Sequence, residues 1–200
     1  MKTFNIIITG VGGQGIITAG TLISEAAIKM GLNVVMSEIH GLSQRGGSVN
    51  VEVRIGDAYG PISPRRKFDL VLGFEPIETM RILSTINSDA RVIMNKEKIT
   101  PISVSLKDAE YPDVNGMALL IPGIKRIYEI DAGNIGKQAG SFRSANTVMI
   151  GTVLSLGILP VDERSIVEAL NDRFSGKMLD INLKAMKLGM EAMEKMDASL

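Results

Sequence analysis

Phe4-Asn5-Ile6-Ile7-Ile8-Thr9-Gly10-Val11-Gly12-Gly13-Gln14-Gly15-Ile16 is the stretch that decides the fold. The near-continuous apolar run from Phe4 to Thr9 suits a parallel strand buried on both faces of its sheet. The glycines end that strand, and Ile16 to Met30 then reads as a helix with Ile16, Ala19, Ile23, Ala26 and Ala27 on one stripe. Gly31 is placed to stop the helix. Leu32 to Glu38 reads as a second strand, completing a β-α-β unit with the right-handed crossover such units adopt. The class is therefore α/β.

Gly10-x-Gly12-x-x-Gly15 has the spacing of a dinucleotide fingerprint in the context that fingerprint needs, directly after a strand and opening a helix. The first glycine permits a tight turn, the second lets backbone approach a phosphate, and the third lets helix pack on strand. The uncapped N–H groups and dipole of the helix end attract an anion. Glu38, at the end of the second strand, stands where a ribose-binding acid would be. Two readings stay open here: a nucleotide site, which would make the chain a stand-alone NAD(P)-binding oxidoreductase, or glycines that only allow close packing.

Further along, His40-Gly41-Leu42-Ser43-Gln44-Arg45-Gly46-Gly47-Ser48 combines polar side chains with three glycines. An Arg45 fork beside the exposed amides of Gly46 and Gly47, with Ser43 and Gln44 alongside, can hold a carboxylate or phosphate; a solvated loop fits the same residues. A third candidate is Arg143-Ser144-Ala145-Asn146 at a helix start, where Ser144 can equally serve as a cap. His40 is the only imidazole available to move a proton, and a structural role suits it as well.

Val49, Val51, Val53 and Ile55 alternate with Asn50, Glu52 and Arg54, the period of a strand with one wet or lined face. Phe68 to Phe74 and Arg91 to Asn95 read as further strands, with a helix opening at Glu75 or Pro76 and running to about Asn87. Weak strands fall near Ile102–Ser105 and Ile127–Ile130. Helices follow near Ala132–Ala139, Ser144 to Leu156 and Asp162 to Phe174. Leu179, Leu183, Met186, Met190 and Met193 mark the apolar face of a last helix, which could be core or receive a partner chain.

Composition narrows the chemistry. Among 200 residues, Lys+Arg and Asp+Glu balance at 22 each, leaving no basic excess to drive nucleic-acid binding. There is no cysteine and one histidine, so the chain itself carries no thiolate-held iron–sulfur cluster and none of the usual zinc spacings. The longest uncharged stretch, Ser144 to Val161, falls short of the roughly 20 apolar residues a membrane span needs. No signal core precedes the first strand. The expectation is a soluble, cytoplasmic protein with no metal, membrane or nucleic-acid partner.

Taken together, Gly10-Val11-Gly12-Gly13-Gln14-Gly15, then Ser37-Glu38-Ile39-His40-Gly41-Leu42-Ser43-Gln44-Arg45-Gly46-Gly47-Ser48-Val49, then Gly140-Ser141-Phe142-Arg143-Ser144-Ala145-Asn146 resemble the gamma-type domain of 2-oxoacid:ferredoxin oxidoreductases. The second motif looks most like the indolepyruvate branch of that family. The resemblance spans about residues 4 to 195, and residues 1–200 are expected to form a single gamma-type domain. It implies a three-layer α/β/α sandwich with a Rossmann-like β-α-β start and a helical C-terminal end. It also implies a subunit of an enzyme that oxidatively decarboxylates an aryl 2-oxoacid to an acyl-CoA and reduces ferredoxin. Thiamine diphosphate and the iron–sulfur clusters would reside on a large alpha subunit, coenzyme A would be a co-substrate, and the isolated chain could form a homodimer. The cofactor- or anion-binding candidates are then Gly10, Gly12, Gly13, Gln14 and Gly15; Glu38; Ser43, Gln44, Arg45, Gly46 and Gly47; Arg143 and Asn146; His40 is the candidate for a place beside the substrate.

Overall fold

The structure, a computed structural model, describes residues 2–40, 46–64, 67–83, 85, 90–99, 111 and 127–198. In chain order the elements are β1 (Phe4–Val11), α1 (Ile16–Lys29), β2 (Val34–His40), β3 (Ser48–Ile55), β4 (Leu70–Gly73), α2 (Pro76–Leu83), β5 (Arg91–Asn95) and β6 (Ile127–Ile130). There follow α3 (Ala132–Ala139), a 3₁₀ turn (Phe142–Ser144), α4 (Ala145–Ser155), α5 (Glu163–Arg173) and α6 (Gly176–Ala198). The expected strand near Ile102–Ser105 lies outside the described residues.

The six strands form one mixed sheet in the order β2-β3-β1-β4-β5-β6. β1, β4, β5 and β6 run parallel, while β3 is antiparallel to both β1 and β2. This corrects the simple β-α-β reading. β2 does run in the direction of β1, but β3 lies between them, so the crossover skips a position in the sheet. Strand order is a non-local property, and the alternation of Val49, Val51 and Val53 announces a strand without naming its neighbours.

Alternation along the strands builds two cores. Ile6 and Ile8 of β1, Leu70 and Leu72 of β4 and Ile93 of β5 pack with α1 and α4 on one face. Ile7, Val71 and Val92, the residues between them, pack with Met80 and Leu83 of α2 on the other. The three-layer α/β/α expectation therefore holds. On β3 the polar face is lined rather than wet. Buried Glu52 accepts the Ser63 amide (2.6 Å), and Arg54 donates to Asn5 Oδ1 (3.0 Å) and to the Gly60 carbonyl (2.5 Å).

α4 is buried on every side from Ala145 to Val153, because it lies between the sheet and α6. A helix enclosed all round has no need of a polar face. On α6 the buried stripe is Ile181, Asn182, Ala185, Met186, Gly189 and Met193, with Leu179, Leu183 and Met190 only half-buried. The expected seam is thus rotated towards the small residues. Its cause is the crossing with α4: a β-carbon on Gly151 would run into the Met186 carbonyl, and one on Gly189 into that of Val148.

Candidate functional site

The parallel strands β1, β4 and β5 end at one edge of the sheet, where open α/β sheets bind their ligands. Gly10, the last residue but one of β1, lies in a crowded place, since a β-carbon there would lie 2.6 Å from Gln14 Oε1 and 2.8 Å from Phe74 Cβ. The Gln14 side chain folds back over the loop, its Oε1 accepting the Val11 amide (2.8 Å) and its Nε2 donating to the Phe74 carbonyl (2.8 Å). It therefore ties β1 to β4, and its role is to hold the loop. Gly15 caps α1 in the left-handed region (φ 79°) with no side-chain cap, so the positive end of the helix is left to whatever occupies the space before it.

The second glycine-rich segment is joined to the first. Gly12 donates its amide to the Gly47 carbonyl (2.9 Å), and Gly46 donates to that of Gly12 (3.5 Å). This pairing follows from β3, whose first residue, Ser48, lies opposite Val11. Ser43, Gln44 and Arg45 lie outside the described residues.

Asn146 comes to the same place from α4. It is 7% exposed, and its Oδ1 accepts the Thr147 amide (2.9 Å), which fixes which way the amide points. The Nδ2 end stands against Gly15, where a β-carbon would be 2.8 Å away. Among the described residues this donor has no hydrogen-bond partner. Thr147 Oγ1 in turn donates to Asn182 Oδ1 (2.7 Å) and Asn182 Nδ2 to the Met178 carbonyl (2.8 Å), anchoring α4 to α6 beneath the site.

These groups border a cavity of about 600 Å³. Gly12, Gly13, Gln14 and Gly15 form one wall and Arg143 and Asn146 another, with Asn95, Glu97, Phe142, Arg173, Phe174 and Met178 completing it. Arg143 and Arg173 are exposed at the rim and form no ion pair with any described residue. Asn95 is fixed by accepting the Ala132 amide (3.1 Å) and by donating to the Phe74 carbonyl (3.3 Å); its Nδ2 also lies 3.5 Å from Glu97 Oε2. Burial pushes the Glu97 carboxyl above the ordinary glutamate range, against the pull of Asn95 and Lys137, with Asp131 adding to the rise.

The structure therefore brings together the glycine loop, Gly46–Gly47, Arg143 and Asn146. It does not bring Glu38. That side chain is exposed on the edge strand β2, two strands or about 10 Å from β1, so the acid of a dinucleotide site is displaced from the glycine loop by β3. His40 is the last residue of β2, paired with Val49 of β3. Sequence reasoning missed Asn95, Glu97, Phe142, Arg173, Phe174 and Met178. The position of Asn95 and Glu97 at the carboxyl end of β5 was the available signal.

Next to the cavity wall, the residue after Phe74 opens α2 with a fully buried carboxylate. Glu75 Oε2 accepts the Glu78 amide (2.9 Å) and Oε1 accepts the Tyr111 hydroxyl (2.5 Å). Burial raises the Glu75 carboxyl above its usual range, outweighing these two bonds; Tyr111 is also pushed up, by burial and by the adjoining carboxylate.

An α/β domain whose carboxyl edge carries a donor-lined cavity matches a known family. The chain belongs to the pyruvate ferredoxin/flavodoxin oxidoreductase family, whose model it matches over residues 5–192. It is 39% identical over 190 residues to indolepyruvate oxidoreductase subunit IorB of Methanothermobacter thermautotrophicus, covering 94% of this chain and 97% of that one. Among solved structures, it is similar to the gamma subunit of a keto/oxoacid ferredoxin oxidoreductase from Geobacter sulfurreducens, with a TM-score of 0.67, 25% identity, and coverage of 96% of this chain and 99% of that one. A 2-oxoglutarate:ferredoxin oxidoreductase from Magnetococcus marinus, with 2-oxoglutarate, coenzyme A and succinyl-CoA bound, shares the fold at a TM-score of 0.73 and 22% identity over 98% of this chain and 32% of that one. No described helix is long and apolar enough to cross a membrane.

Proposed function

We propose that the chain, as one gamma-type domain over residues 1–200, is a subunit of a cytoplasmic enzyme that oxidatively decarboxylates an aryl 2-oxoacid, indolepyruvate foremost, to an acyl-CoA while ferredoxin takes the electrons. Support comes from the indolepyruvate oxidoreductase relative, matched over almost its full length. The cysteine-free composition adds to it: with no thiolate donors, iron–sulfur clusters belong to another chain, which we take to be a large alpha subunit that also holds thiamine diphosphate. That cofactor supplies carbanion stabilisation when bound on the partner.

The work of this chain is anion placement. The α1 N-terminus, the unpartnered Asn146 Nδ2 and the rim arginines Arg143 and Arg173 present donors and positive charge to one cavity, while Gln14 keeps the loop in shape. The group held there is a coenzyme A phosphate or the oxoacid carboxylate, with Arg45 as a further charge partner. The single observation that carries this assignment is the convergence of the glycine loop with Asn146, a buried amide whose donor end has no described protein partner. In an enzyme reconstituted with its thiamine-carrying partner, Arg143→Ala and Arg45→Ala are expected to raise the apparent KM for coenzyme A or for the oxoacid about tenfold. Unchanged kinetics in both variants, or saturable micromolar binding of NAD(H) to the chain alone, would overturn the reading.

A further inference from the structure

We propose that Glu97 selects the ligand of this cavity: an aromatic nitrogen heterocycle that lies against Phe142 and gives an N–H donor to the Glu97 carboxylate, while the ligand's anionic group reaches Asn146 and the α1 N-terminus. The inference rests on the cavity being the anion site argued above.

The first ground is a contradiction in charge. A cavity lined by backbone amides, an asparagine donor and two unpaired arginines is made for an anion, and a carboxylate in its wall works against that purpose. Glu97 makes no ion pair with any described residue, and its nearest donor, Asn95 Nδ2, stands at 3.5 Å, the limit of a hydrogen bond. A half-buried acceptor left so poorly satisfied is compensated when the ligand brings a donor of its own.

The second ground is position. Phe142 Cε2 and Glu97 Oε2 both lie within 4 Å of one point above Gly133, so an aromatic surface and an acceptor stand side by side. Gly133 is what lets them approach, since a β-carbon there would meet the Phe142 ring at 2.8 Å. The ring is 43% exposed, large for a phenylalanine, and Lys137 Nζ sits 5.5 Å from its centroid. Met178, 46% exposed, and Phe174 add apolar wall. A cavity of about 600 Å³ is far larger than a phosphate or carboxylate needs, and it falls in the range of sites that take ring-bearing ligands.

Two molecules of the proposed reaction share this chemistry. The adenine of a coenzyme carries an exocyclic amino group, and the indole of an aryl oxoacid carries a ring N–H. Calorimetry on the full chain separates them with two ligand pairs: adenosine 3′,5′-bisphosphate against its purine analogue lacking the amino group, and indole-3-lactate against 1-methylindole-3-lactate. Inorganic diphosphate serves as the measure of the anion site alone. In one of the pairs, the ligand with the N–H is expected to bind about tenfold more tightly than its analogue. Glu97→Ala is expected to bring that ratio close to one without weakening diphosphate binding. Ratios of one in both pairs for the unaltered chain, or a ratio that survives Glu97→Ala, would overturn the role of Glu97. Failure of the unaltered chain to bind diphosphate would instead remove the anion site itself.

Discussion

Gly151 of α4 and Gly189 of α6 are reciprocal: each lies under a carbonyl of the other helix, Gly151 beneath Met186 and Gly189 beneath Val148. The two helices meet backbone to backbone, with no side chain between them at the crossing. Either position occupied by alanine forces the helices apart, and the adjacent Thr147–Asn182 bond must stretch with them.

Gly151→Ala and Gly189→Ala are each expected to cost about 3 kcal/mol, at the upper end of overpacking penalties. For a chain of this size that is a fall in Tm of roughly 6–12 °C. Thermal unfolding followed by circular dichroism checks it. A change of under a degree in both variants would show that the crossing is looser than its geometry.

Gln14→Ala removes an acceptor from the Val11 amide and a donor from the Phe74 carbonyl, which keeps its bond from Asn95. The expected cost is about 1–3 kcal/mol, mostly from the amide left without a partner. Urea denaturation measures that cost, and diphosphate titration of the same variant should show weaker binding because the glycine loop is no longer held.

Asn146→Asp places a carboxylate oxygen where the Nδ2 donor stands, against Gly15. A donor becomes a like charge, so affinity for an anion in the cavity is expected to fall at least tenfold, the scale of one lost hydrogen bond to a charged group. Asn146→Ala should give a smaller loss. Equal affinity in all three proteins would remove Asn146 from the site.

Glu75 gives the pH dependence. An acid whose carboxyl titrates higher in the fold than in the unfolded chain supports the fold below its ordinary range and loses that support as pH rises. Stability of the unaltered chain should therefore carry a downward component from about pH 5 towards neutrality. In Glu75→Gln that component disappears, so the variant gains on the unaltered chain as pH rises. Urea midpoints measured between pH 5 and 8 decide it; a constant difference would mean Glu75 is ionised throughout.

How far these features were legible depends on how local they are. β5, β6 and α3 fall at Arg91–Asn95, Ile127–Ile130 and Ala132–Ala139 as read from residue type and spacing, because each is bounded by its own punctuation. Asp131, whose side chain accepts the Asn134 amide (3.2 Å), and Gly140 delimit α3 in this way. The insertion of β3 was not legible, and with it went the fate of Glu38. The buried stripe of α6 was misplaced because apolar size was weighed above the small residues that a close crossing demands. Glu97 stayed hidden between Lys96 and Lys98, where residue types show no periodicity; only the sheet shows that this stretch leaves β5 at the mouth of the cavity.

The antiparallel placement of β3 also governs what can vary. β2 ends and β3 begins at the same edge of the sheet as the glycine loop, and the two strands are neighbours in the sheet. Their pairing runs without a break from His40–Val49 at that edge to Val34–Ile55 at the opposite one. The contact between Gly12 and Gly47 is thereby held by β1 and β3, whose pairing ends at Val11–Ser48 immediately beside it, so substitutions that spare those two strands keep the glycine segments together.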